Sequence, residues 1–304
     1  MKLNLPTRLV RLIVNGSSSS FLNVRTPLSA QRLFLDALGG YNPLPSNINC
    51  STSQLGNRPA QWFTPKQASP DKVILYCHGG AYCIGSPRSH RDLCSHLALY
   101  ANIPLVIVDY RLAPEHKYPA ALEDIIKAYH ELLALGYQAH NIAIVGDSAG
   151  GGLCLASLQA LRDQEIPLPA AAFLISPWLN MQNNADSHRG KAAIDPLLSI
   201  EWLNSHGKRY LTPGAALHCQ ASPLFGDMQG LPPLLIHVGE DEILLDDSIE
   251  LHQKALIAEV SVELNVEKDL WHVFHFTPSL LQVARQGLQQ GGDFLRQHLK
   301  VTTE

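Results

Sequence analysis

Charge is what this sequence has least of. Only 16% of its 304 residues are charged, 23 basic against 27 acidic, and the net is −4. With no lysine- or arginine-rich run, that balance argues against a nucleic-acid binder and a polybasic membrane surface. Long apolar runs are missing too, and none approaches the ~20 residues of a membrane span. The stretch around Arg8 and Arg11 is too short and too interrupted for a signal-peptide core. Cysteine is sparse and unpatterned: Cys50, Cys77, Cys83, Cys94, Cys154 and Cys219, with no C-x-x-C. A disulfide framework and a zinc site are therefore not expected, and thiols inside apolar runs read as small core residues. The expectation is a cytoplasmic protein with reduced thiols and no metal. What remains is 46% hydrophobic residues, enough for one large domain with an inserted or appended piece.

From about residue 72 an order emerges. Short apolar runs at Val73–Cys77, Leu105–Tyr110, Asn141–Gly146, Ala172–Ser176, Leu234–Gly239 and Val260–Val266 read as strands. Several are nearly continuous in Val, Ile and Leu, as in parallel strands covered on both faces. Between and after them, Ser89–Ala101, Pro119–Leu135, Ser148–Arg162, Asp247–Ala258 and Ser279–Leu299 carry helical periodicity. The alternation predicts an open, mostly parallel α/β sheet flanked by helices. Two segments break it. Residues 1–50 hold an early helix, the Ser17–Ser20 run and a helix around Ala30–Leu38; residues 180–220 hold a helix at Leu198–Tyr210 and no strand. Together they predict a helical cap over a catalytic domain made of residues 51–179 and 221–304.

Chemistry concentrates in two glycine-rich turns. Gly146-Asp147-Ser148-Ala149-Gly150 lies between a strand and a helix, the context in which a G-x-S-x-G turn holds a strained serine above a sheet. His78-Gly79-Gly80-Ala81 follows the strand Val73–Cys77, where paired glycines let backbone amides approach a developing oxyanion. The candidate donors are the N–H groups of Gly79, Gly80 and Ala149. A serine nucleophile needs a base and an orienting acid, in the chain order Ser, acid, His. His272 and His275 both stand in the loop before the closing helix, and His272 is preferred. Glu240-Asp241-Glu242 follows the strand Leu234–Gly239; Asp241 is favoured over Glu240, Glu242, Asp246 and Asp247. Of the aromatics Phe21, Phe34, Tyr82, Trp178, Trp202 and Tyr210, each reads first as packing. Tyr82, Trp178 and Trp202, with Asp147, are the substrate-binding candidates.

These turns, with Asp109-Tyr110-Arg111-Leu112-Ala113-Pro114-Glu115 and Gly239-Glu240-Asp241-Glu242, resemble the hormone-sensitive-lipase-like family of α/β-hydrolases over about residues 73–275. The resemblance implies an α/β-hydrolase fold with a helical cap, hydrolysis of short- to medium-chain carboxylic esters and no cofactor. It supports Ser148, Asp241 and His272 as the triad and Gly79, Gly80 and Ala149 as the oxyanion hole. Ala81 stands where the family has a third glycine, a change that keeps the hole if the donors precede it. The Asp109–Glu115 stretch reads as a brace behind the site. The implied partner is a small-molecule ester, and the resemblance allows a homodimer through an edge strand. The competing readings are a lipase, lactonase or amidase of the same fold, or a non-catalytic small-molecule binder.

Overall fold

The computed structural model describes residues 4–40 and 42–301. Two helices come first, α1 (Thr7–Phe21) and α2 (Leu28–Gly40), and α1 runs through the serine run expected to interrupt it. A hairpin follows, β1 (Ile48–Leu55) and β2 (Arg58–Pro65), so the sheet begins inside the segment expected to belong to the cap. Neither strand stands out in the sequence, because β1 lies at the sheet edge with six of its eight residues exposed and carries mostly polar side chains. Its signal is the turn: Gly56 and Asn57 both have positive φ, 63° and 62°, the geometry that joins two strands by a two-residue loop.

The alternation then proceeds as β3 (Val73–Cys77), α3 (Arg91–Ala101), β4 (Leu105–Val108), α4 (Ala120–Ala134), β5 (Ile142–Asp147), α5 (Ala149–Asp163) and β6 (Ala171–Ile175). Two helices, α6 (Asp186–Gly190) and α7 (Ile200–Tyr210), precede β7 (Leu234–Gly239), α8 (Leu245–Ile257), β8 (Val262–Glu267) and α9 (Gln282–His298). The eight strands pair in the order β1-β2-β4-β3-β5-β6-β7-β8; β1 and β2 are antiparallel to their neighbours and the other six strands run parallel. Leu75, Ile144, Leu174 and Ile236 pack on one face with Ile125, Leu155 and Leu251. Ile74, Val145, Phe173 and Leu235 pack on the other with Leu97, Leu288 and Leu295. Covering both faces is why β3 to β7 are apolar at successive positions. Parallel strands share one carboxyl edge, and the turns after β3, β5, β7 and β8 all emerge there. No helix among the described residues is long and apolar enough to cross a membrane.

Candidate active site

Ser148 sits between β5 and α5 with φ 53° and ψ −122°, a backbone conformation that costs energy and persists only where the surroundings impose it. They do so tightly. Ser148 N–H donates to Ile175 O at 2.8 Å, and its carbonyl accepts from Trp178 N–H at 2.9 Å. A Cβ at Gly146 would lie 2.4 Å from Gly150 O, and one at Gly150 only 2.0 Å from Cys77 O, so the turn closes only with glycine on both sides. The serine side chain is thereby held at the carboxyl edge of the sheet.

His272 arrives from the loop after β8. Its Nε2 lies 2.9 Å from Ser148 Oγ and its Nδ1 lies 2.7 Å from Glu242 Oε2. With the proton on Nδ1 donated to the carboxylate, Nε2 is left to accept from the hydroxyl. Glu242 is wholly buried, and its other oxygen accepts from Ser176 Oγ at 2.8 Å and from Gly239 N–H. Ser176 also accepts from Val273 N–H at 3.1 Å, tying the acid to the loop that carries the base. Burial pulls the imidazole pKa down, but the Glu242 hydrogen bond and the charges of Glu242, Asp195 and Asp147 outweigh it, leaving His272 above the ordinary histidine value.

The carboxylate beside the histidine is therefore Glu242, not the expected Asp241. β7 ends at Gly239 and the chain turns at Glu240 and Asp241, whose N–H groups bond Glu267 O and Leu270 O at the end of β8 and in the loop after it. In that turn Asp241 pairs with Arg11 Nη1 at 2.7 Å and stays partly exposed, while Glu242 is buried against His272. Arg11 Nη2 also donates to Ile194 O at 2.7 Å. Asp246 and Asp247, in the first turn of α8, are occupied elsewhere: Asp246 accepts from Ser187 N–H, and Asp247 from Leu179 and Asn180 N–H. His275 turns away from the serine, its Nε2 being 3.2 Å from His237 Nδ1.

A further carboxylate that sequence reasoning missed stands close by. Asp195 Oδ1 accepts from Leu197 and Leu198 N–H at 2.8 and 3.0 Å, and Oδ2 accepts from Ile243 N–H at 3.0 Å. It joins the wall of the cavity to the residue after Glu242. Burial pushes its pKa up to about 6, against the charge of His272 and those three hydrogen bonds. Nothing in the Asp195-Pro196-Leu197-Leu198 sequence distinguishes it from an ordinary turn.

One of the three expected oxyanion amides, that of Gly79, is already engaged. Gly79 N–H donates to Asp147 Oδ1 at 3.0 Å, and a Cβ there would meet Asp147 Oδ2 at 2.2 Å. That donor is spent on holding the turn. Gly80 and Ala81, by contrast, line the cavity above Ser148, with φ of 116° and 49°. Ala149 opens α5, where a helix leaves its first N–H groups without an intrahelical acceptor.

The cavity has a volume of about 210 Å³ and a predominantly apolar wall, including Phe34, Leu38, Leu198, Trp202 and Phe274. Of the substrate-binding candidates, Trp202 lines it, with Nε1 donating to Gln31 Oε1 at 2.9 Å. Asp147 also borders it, but its buried carboxylate is committed to Tyr76 Oη at 2.8 Å, Gly79 N–H and His90 Nε2 at 3.3 Å. Burial alone would raise the Asp147 pKa; the His90 and Tyr76 contacts reverse it and keep the group ionised. Tyr82 and Trp178 do not reach the cavity. Tyr82 stacks on Tyr210 with centroids 3.8 Å apart, and the buried Trp178 donates to Asn183 Oδ1 at 2.8 Å. Both are packing residues. The Asp109–Glu115 stretch ties elements together: Arg111 bonds Asp124 and Glu123 of α4, and Glu115 pairs with Arg32 of α2.

Residues 74–276 match the model of a family described by the alpha/beta hydrolase fold. The chain is 42% identical over 242 residues to an acetyl-hydrolase of Streptomyces hygroscopicus, covering 80% of this chain and 81% of that one. It is 40% identical over 232 residues to an esterase of Acinetobacter venetianus, covering 75% and 76%. Among solved structures, an esterase from the bacterial hormone-sensitive lipase family superposes with a TM-score of 0.91 at 39% identity, over 97% of this chain and all of that one. Fold, turn sequences and these similarities agree, and the chain belongs to the hormone-sensitive-lipase-like family of α/β-hydrolases.

Proposed function

We propose that this protein is a serine carboxylesterase acting on short- to medium-chain esters, with Ser148 as nucleophile, His272 as base and Glu242 as the acid. The observation that carries the reading is the continuous relay Ser148–His272–Glu242 at 2.9 and 2.7 Å, buried beside an apolar cavity. Esterase and acetyl-hydrolase are the activities that the relatives' names carry, and the protein is a carboxylic-ester hydrolase. Ser148 Oγ attacks the ester carbonyl as His272 Nε2 takes its proton, and Glu242 holds the imidazolium that forms. The oxyanion is received by the N–H groups of Gly80, Ala81 and Ala149. His272 protonates the leaving alcohol, and water, activated by the same imidazole, releases the acid from Ser148.

A cavity of about 210 Å³ is below the range of sites for drug-sized ligands, roughly 300–1,000 Å³. Its size favours a modest acyl group under a cap built from the 1–50 and 180–220 segments. Across p-nitrophenyl esters from acetyl to a long acyl chain, kcat/KM should peak at short to medium length and fall thereafter. Ser148→Ala should abolish turnover while leaving the circular dichroism spectrum unchanged. Hydrolysis retained by that variant would sink the assignment.

The raised His272 pKa sets the pH profile. The base works neutral, so kcat/KM should fall as pH drops through a value above about 6.5. Asp195→Asn removes one of the negative charges that raise it, so the acidic limb should move to lower pH. An unmoved limb would show that Asp195 does not act on the imidazole.

A further inference from the structure

The N-terminal helices leave an apolar surface uncovered. Leu9, Leu12 and Ile13 are spaced three and four residues apart on α1 and form one stripe, and with Leu38 of α2 they are between 45% and 69% exposed. The inward side of α1 is already engaged, with Val10 packed against Leu270, Trp271 and Phe274. The stripe is therefore not a core face awaiting its own fold. Ile13 and Leu38 also line the cavity above Ser148, so the exposed leucines continue outward from its rim. Single exposed leucines are ordinary on protein surfaces; a run of them bordering a cavity mouth is not.

The charge distribution says what would cover such a surface. Residues 1–47 hold five bases (Lys2, Arg8, Arg11, Arg25 and Arg32) against the single acid Asp36, a net of +4. Arg11 and Arg32 are paired with Asp241 and Glu115, while Arg8, one turn before Leu12, and Arg25, between α1 and α2, are exposed. These two cations beside the apolar stripe are what an anionic surface would attract. A helix with a solvent-facing apolar stripe and flanking arginine is the kind that lies in a lipid–water interface.

We propose that the α1–α2 face docks on an anionic lipid–water interface and takes amphiphilic esters directly from it into the cavity. The proposal rests on the ester-hydrolase reading only for what enters the cavity; docking itself is independent of chemistry. The test is co-sedimentation with phosphatidylglycerol–phosphatidylcholine vesicles and with pure phosphatidylcholine vesicles, at low and high salt. The wild type should bind the anionic vesicles about tenfold more tightly and lose that preference at high salt, because salt screens the attraction of the exposed arginines. The L9Q/L12Q variant should lose binding, and R8Q/R25Q should lose the preference for anionic lipid. Neither pair lines the cavity, so both variants should keep wild-type hydrolysis of soluble p-nitrophenyl acetate. Failure of the wild type to bind anionic vesicles overturns the proposal, as does binding unchanged in L9Q/L12Q. A dimer in sedimentation velocity that L9Q/L12Q abolishes also overturns it, because a second copy would then be the occupant. An enzyme inactive on every ester but still lipid-bound would instead refute the proposed chemistry.

Discussion

Glu242→Gln should lower kcat by about 10³- to 10⁴-fold, while Asp241→Asn leaves it within a few-fold of wild type. Glutamine keeps the shape of the side chain but can present an N–H to His272 Nδ1, turning the imidazole to the tautomer that cannot accept the Ser148 proton. It also removes the negative charge that stabilises the imidazolium. The buried carboxylate accepts from Ser176 Oγ and Gly239 N–H as well, so the variant's melting temperature should fall along with its activity. Asp241, in contrast, loses a partly exposed ion pair with Arg11, an interaction of roughly 0–1 kcal/mol. Steady-state kinetics on one soluble ester decide between the two carboxylates. An inactive Asp241→Asn beside a normal Glu242→Gln would mean that the loop after β7 adopts another register in the working enzyme.

That pair of residues also marks the boundary of what the sequence reveals. Adjacent acids after a strand are equivalent to a pattern reader. Their fates separate only when the N–H groups of Glu240 and Asp241 bond Glu267 O and Leu270 O, fixing the turn in which Glu242 is buried against His272 and Asp241 meets Arg11. The same holds for the amides: Gly79 and Gly80 look alike until Asp147 claims the first. It holds too for Tyr82, whose stacking partner Tyr210 lies far away in the chain, and for Trp178, whose indole is fixed by Asn183 in the irregular segment that follows it. β3 to β7 could be read because burial on both faces demands successive apolar residues, whereas β8, at the sheet edge, has no fully buried residue. β1 and β2 could not, since an edge hairpin needs no such run and announces itself only through Gly56-Asn57. Ser148 was legible for a steric reason, as its turn closes only between glycines.

Acidification should destabilise this protein before most of its carboxylates are titrated. Burial holds His78 and His237 down to about 3 and His206 to about 4, and lowers His275 well below its ordinary value. Their surroundings explain why: His78 stacks on Tyr110 at 4.2 Å, His206 lies over Trp202 at 4.0 Å, and His237 and His275 face each other beside Phe173. A histidine whose folded pKa is depressed takes up its proton only in the unfolded chain between the two values. Stability is therefore complete above about pH 6.5 and is lost as pH falls below it. From pH 7.5 to 5.5 each such group costs about 1.4 kcal/mol, or between 5 and 6 kcal/mol for the four. Two groups act in the opposite sense. His272, raised in the folded state, contributes stability below its unfolded value and loses it as pH rises through the folded one. Asp195, at about 6, is protonated in the fold before it is in the unfolded chain. The Asp195 shift offsets roughly 1 kcal/mol and His272 acts in the same direction, so the net loss stays below about 5 kcal/mol against a typical stability of about 5–15 kcal/mol. Urea unfolding at the two pH values should show that drop as a lower midpoint. An equal free energy at both would mean that the buried histidines accept protons without leaving the fold, and that their surroundings open to water.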